Sequence, residues 1–125
     1  MTDLIESLAG HPASEVVRKA NLEDFLARHP RAVLFYTGDV ASRPEGLDVA
    51  IVVRELLRKY EGRLALGLVD RRDETALMTK MGVVVLPAIA FVADGRPVEV
   101  VARMRDWIAY AQAAERLFAE GAPAA

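Results

Sequence analysis

A chain of 125 residues, 53% of them hydrophobic, carries enough apolar material for one domain-sized core that needs no disulfide or metal. Having no cysteine, it excludes thiol–disulfide exchange, thiolate zinc sites and thiolate-ligated iron–sulfur clusters. With 16 basic and 18 acidic residues, a formal charge of -2, it has no basic stripe of the kind that nucleic-acid binding requires.

In chain order, MTDLIESLAG reads as a short helix capped by Thr2 or Asp3, with Leu4, Ile5 and Leu8 apolar and Gly10 as its stop. Asp3 and Glu6 stand where a secretion signal would carry lysine or arginine, and no cleavage site follows. No stretch reaches the ~20 apolar residues of a membrane span. A soluble, cytoplasmic protein is expected. His11-Pro12 forces an extended path, and Glu15 to Lys19 form a short strand through Val16 and Val17. Asn21 caps the next helix with Asp24 in the capping-box position, and Pro30 ends it near Arg28.

Ala32 to Tyr36 is an unbroken apolar run, too short for a helix, and reads as a strand covered on both faces. A polar loop from Gly38 to Glu45 leads into a helix that runs to about Tyr60, with Leu47, Ala50, Ile51, Val53, Leu57 and Tyr60 at helical spacing. Leu64 to Val69 is a second buried strand. Glu74 to Met81 is a helix closed by Gly82, presenting Ala76, Leu77 and Met81. Pro87 interrupts the next apolar run, so its strand is placed at Ala88 to Val92. Asp94-Gly95 signals a hairpin back through Val98 to Ala102, and Pro97 places that strand at a sheet edge. Asp106 caps a last helix with Trp107, Ala111, Ala114, Leu117 and Phe118 along one face. The order predicts an α/β sandwich in which two or three parallel strands and an antiparallel C-terminal hairpin share one mixed sheet. One domain is expected over residues 1–120, followed by a short flexible tail, 121–125.

Three blocks in this order, VLFYTGD, KYEGRLALGLVD and VVVLPAIAFVADGR, resemble thioredoxin over more than half the chain. The resemblance implies a thioredoxin-like sandwich. It does not carry over redox activity, because thioredoxins place C-x-x-C in the loop that here reads TGDVASRPEG. A narrower match, GDVASRPEGLDVAIVVREL with VVVLPA and MRDWIAY, resembles the HupG/HyaE family of hydrogenase expression proteins. That resemblance implies a non-catalytic accessory role in maturation of an uptake nickel–iron hydrogenase. The implied partner is the hydrogenase small-subunit precursor, including its twin-arginine signal peptide. No cofactor is implied, and either a monomer or a weak homo-oligomer is compatible with the sequence.

In the thioredoxin arrangement the loop faces a cis-proline across a shallow apolar groove, and the residue before the proline offers its backbone to an extended peptide. Leu86 and Pro87 occupy those positions here, and the resemblance implies a cis bond between them. The alternative is a trans proline that merely starts a strand. Asp39, Glu45 and Asp48 bracket the loop, opposed by Arg43 alone. Two roles are open to them: an acidic rim that receives arginines of a signal peptide, or ordinary helix capping, with Glu45 completing a box from Ser42. Trp107 and Tyr110 are read as core and helix-face packing, with a partner-facing aromatic patch as the alternative.

His11 and His29, each before a proline, read as turn residues, and no metal site is expected. Tyr36 and Ser42 lie near the ancestral site. They leave a hydroxyl-dependent glutathione-using enzyme as a third reading, behind the hydrogenase accessory protein and a redox-inactive adaptor in another assembly. No general base accompanies them, and no catalytic residue is assigned.

Overall fold

Strands made wholly of apolar residues must be covered from both sides, and that requirement organises the molecule. A computed structural model describes residues 3–120. The Thr2 cap and the 121–125 tail lie outside the described residues. The elements are α1 (Asp3–Ala9), β1 (Ser14–Val17), α2 (Leu22–Arg28), β2 (Arg31–Tyr36), α3 (Glu45–Lys59) and β3 (Ala65–Val69). A single 3-10 turn (Arg71–Asp73) then leads to α4 (Glu74–Met81), β4 (Ala88–Ala93), β5 (Arg96–Ala102) and α5 (Trp107–Ala119).

One five-stranded sheet runs in the order β1-β3-β2-β4-β5. The first three of these strands are parallel, and β4 and β5 join antiparallel, as the element order predicts. Strand alternation divides the core in two. Val33, Phe35, Leu66, Leu68, Ile89 and Phe91 face α1, α3 and α5, whereas Ala32, Leu34, Tyr36, Ala88, Ala90 and Val92 face α2 and α4. β2 and β4 therefore lie buried between two helical layers. At Gly67 in β3 the second layer comes so close that an added Cβ would lie 2.6 Å from Leu34 and 2.8 Å from Val17.

Asp94 and Gly95 both adopt positive φ, 50° and 82°, which gives the hairpin the twist that two-residue turns favour. β5 forms the sheet edge, as Pro97 predicts, but begins two residues earlier than expected, and a bulge near Val92 absorbs the extra residue. β1 ends two residues earlier than expected. The Arg18 amide is taken by the Asn21 side chain (2.6 Å) and the Lys19 amide by Asp73 (2.8 Å), so neither joins a neighbouring strand. Asn21 thus serves the preceding turn, not a capping box for α2, and Asp24 pairs with Arg28 (2.8 Å).

Three helical faces differ from the periodic reading. Ile51 on α3, Ala76 on α4 and Trp107 on α5 are exposed, because each lies at the margin of its apolar stripe. Asp106 precedes α5 without a side-chain cap bond. Tyr110 is core as expected: its hydroxyl takes the Arg105 amide (3.0 Å) and donates to the Arg103 carbonyl (3.1 Å), fastening the turn before α5. His11 accepts from the Ala13 amide (3.0 Å) and His29 packs on Phe25 (4.8 Å between rings), both as turn residues. Among the described residues no helix is long and apolar enough to cross a membrane.

Candidate peptide-binding site

The site lies at the carboxyl end of β2, where the chain leaves the sheet and must clear the first turn of α3. Thr37 is buried and Gly38 turns with φ 69°; a Cβ there would sit 3.4 Å from Leu86. The next residues close on themselves. Asp39 accepts from the Ala41 amide (3.1 Å) and the Ser42 hydroxyl (2.9 Å), while its carbonyl receives the Arg43 amide (2.8 Å). These donors, the Ser42 hydroxyl foremost, hold the Asp39 carboxyl below its ordinary pKa. The loop then lies against the start of α3 at Gly46, where a Cβ would approach the Thr37 carbonyl to 2.6 Å.

Across from this loop, Gly82 closes α4 in the left-handed region, as predicted, and the Val83 amide returns to Met78 (2.9 Å). Val84 and Val85 then emerge, 83% and 43% exposed. The Leu86-Pro87 peptide bond is cis, as the thioredoxin resemblance implies. Among the described residues, no backbone hydrogen bond engages Val84, Val85 or Leu86 outside the sheet, whereas the Pro87 carbonyl takes the Arg103 amide at 2.7 Å. The result is a groove of about 480 Å³ with apolar Val84, Val85, Leu86, Pro87 and Met78 on one side and Thr37 to Asp39, Ser42, Arg43 and Arg71 on the other.

The five expected site residues separate into two places. Asp39, Leu86 and Pro87 line this groove; Glu45 and Asp48 line a neighbouring depression with Arg103, and the two meet at Ser42 and Arg43. The expectation that Arg43 alone opposes the acids is corrected. Arg103 grips Glu45 through both carboxylate oxygens (2.9 and 2.6 Å), and the Met104 amide adds a third donor at 2.7 Å. With Arg103 as the main cause and the Met104 amide second, the Glu45 carboxyl falls to a pKa of about 2. Nor does Glu45 complete a box with Ser42, whose hydroxyl serves Asp39. Asp48 is exposed and forms no ion pair among the described residues.

Two contributors were not singled out from the sequence. Glu74, 2% exposed, accepts the Gly38 amide (3.1 Å) on one oxygen and pairs with Arg71 through the other, tying α4 to the loop. In the sequence it is simply an acid in a helical first turn, and nothing in its neighbours signals burial. Arg71 likewise reads as half of a solvated basic pair. The third reading, a hydroxyl-activating enzyme, meets an obstacle in Tyr36. Its ring is fully buried, and its hydroxyl donates to the Leu77 carbonyl at 2.8 Å. Burial, reinforced by nearby Glu74, pushes the Tyr36 pKa well above its ordinary value.

A mixed sheet between two helical layers, a cis-proline facing a loop at the end of β2, and no cysteine define a thioredoxin-like domain without the redox pair. A thioredoxin variant from Halobacterium salinarum NRC-1 superposes with a TM-score of 0.71 at 22% identity, over 91% of this chain and 98% of that one. The family model for the hydrogenase-1 expression protein HyaE matches residues 4–110, and the chain belongs to that family. It is 38% identical to the hydrogenase expression/formation protein HupG of Rhizobium leguminosarum bv. viciae over 87% of this chain and 76% of that one. Against HoxO, the hydrogenase expression/formation protein of Cupriavidus necator, identity is 34% over 93% of this chain and 73% of that one. The crystal structure of a HupG from Rhodopseudomonas palustris superposes with a TM-score of 0.58 at 36% identity, covering 84% of this chain and 95% of that one.

Proposed function

We propose that this protein is a non-catalytic accessory factor that holds the hydrogenase small-subunit precursor, with its signal peptide, during maturation of an uptake nickel–iron hydrogenase. An extended segment of the precursor lies along Val84 to Leu86 and pairs with their backbone, as an added strand would. The observation that carries this reading is the conjunction of exposed valines, backbone groups without hydrogen-bond partners among the described residues and a floor formed by Leu86 and Pro87. Membership of the HyaE family and the names of its HupG and HoxO relatives supply the hydrogenase context. The absence of cysteine supports holding over thiol chemistry.

Within this reading the acids divide by role. Asp48, which forms no ion pair among the described residues, receives an arginine of the signal peptide at the rim. Asp39 shapes the loop at the groove. Glu45 acts through Arg103, keeping the segment beside Pro87 in place. A cytoplasmic location follows from this role, since the precursor is bound before export.

The test is calorimetric titration with the precursor, with and without its signal peptide. Val84→Asp, at an exposed side chain that leaves the core intact, is expected to weaken binding about tenfold or more, near 1.4 kcal/mol. Removal of the signal peptide or Asp48→Asn is expected to weaken it less. No binding by the folded wild-type protein would refute the proposal, as would an unchanged affinity for Val84→Asp.

A further inference from the structure

Two guanidinium groups with unused donors, those of Arg43 and Arg71, line the groove. Arg43 stands at the lip and forms no ion pair among the described residues. Arg71 is half-exposed, and its one ion pair among the described residues is with Glu74, through one terminal nitrogen. Each guanidinium carries five N–H donors, so most remain available to a ligand. Each oxygen of the facing carboxylates already accepts one hydrogen bond. Asp39 has one oxygen on the Ala41 amide and the other on Ser42. Glu74 is buried, with one oxygen on the Gly38 amide and the other on Arg71. Because a buried acid orients Arg71, it loses little freedom when it binds a planar anion.

We infer that the segment seated in this groove carries an acidic side chain between its apolar residues, and that Arg43 and Arg71 recognise that carboxylate. A basic side chain there would face two guanidinium groups and one lining carboxylate, Asp39, which already accepts two hydrogen bonds. This rests on the reading of the groove as a peptide site and adds the chemistry of its occupant. Arginines of the bound chain are directed instead to Asp48, outside the groove.

The test uses the intact protein and two fluorescein-labelled synthetic peptides with the same valine–threonine backbone, one bearing two glutamates and the other two lysines. The glutamate peptide is expected to bind about tenfold tighter or better by anisotropy at low salt, with the preference shrinking as salt is added. Arg43→Glu should abolish or invert the preference. The paired change Arg71→Gln with Glu74→Gln, which leaves no unpaired buried charge, should reduce it. Equal or tighter binding of the lysine peptide, or an unchanged ratio in Arg43→Glu, overturns the inference. So does a precursor that binds while neither peptide does, an outcome that leaves the proposed function standing. Conversely, a glutamate preference in a protein that ignores the precursor upholds the inference and removes the hydrogenase reading.

Discussion

Glu45 shows how far a side chain's role can lie from its sequence neighbours. Its partner, Arg103, is 58 residues away, yet three donors converge on its two oxygens. The folded pKa, about 2, lies below the ordinary 4.5. Glu45 therefore contributes stability that is fully present above the ordinary carboxylate range and is lost as pH falls through about 2. Followed by NMR, the Glu45 carboxyl and Met104 amide should titrate together near that low midpoint. A Glu45 midpoint at its ordinary value would show that the clamp does not persist in solution. The sequence displays an acid at a helix start and permits several uses for it. The choice is made by β5, which ends beside α3 and brings Arg103 there. Trp107 departs from the periodic reading for a related reason: its spacing fits the apolar stripe of α5, but it lies at the margin of that stripe and is 42% exposed, with the Lys59 ammonium of α3 5.8 Å from its ring centroid.

At the scale of elements, local signals worked where they act within a few residues. Pro30, Gly82 and Asp94-Gly95 each mark a boundary that holds. The end of β1 was not legible, because it depends on Asp73, 54 residues beyond Lys19. Packing between elements is equally hidden. Gly67 is unremarkable in the run LALGLVD, yet β3 can lie under Val17, Leu34 and Phe25 only without a side chain there. Gly67→Ala is expected to destabilise the protein by about 1–3 kcal/mol, the usual cost of overpacking a core. Urea unfolding measures this, and an unchanged midpoint would mean that the sheet and α2 separate more easily than the geometry implies.

For the molecule as a whole, the resemblance to thioredoxin located the loop and the cis-proline together, since both lie in quoted blocks of sequence. The charge character of the site was not legible. Arg71, Glu74 and Arg103 come from a turn, a helix and the end of the edge strand, and only the closed fold brings them around residues 37–48. What the fold retains without the cysteine pair is a short stretch of exposed backbone and apolar side chains at Val84 to Leu86, which the proposed function opens to another chain. Amide hydrogen exchange across the whole protein, with and without the small-subunit precursor, examines that claim at its origin. Slowed exchange concentrated at Val84, Val85 and Leu86 is the expected result. Slowed exchange confined to the α2 and β1 side, with these three amides unchanged, would contradict it.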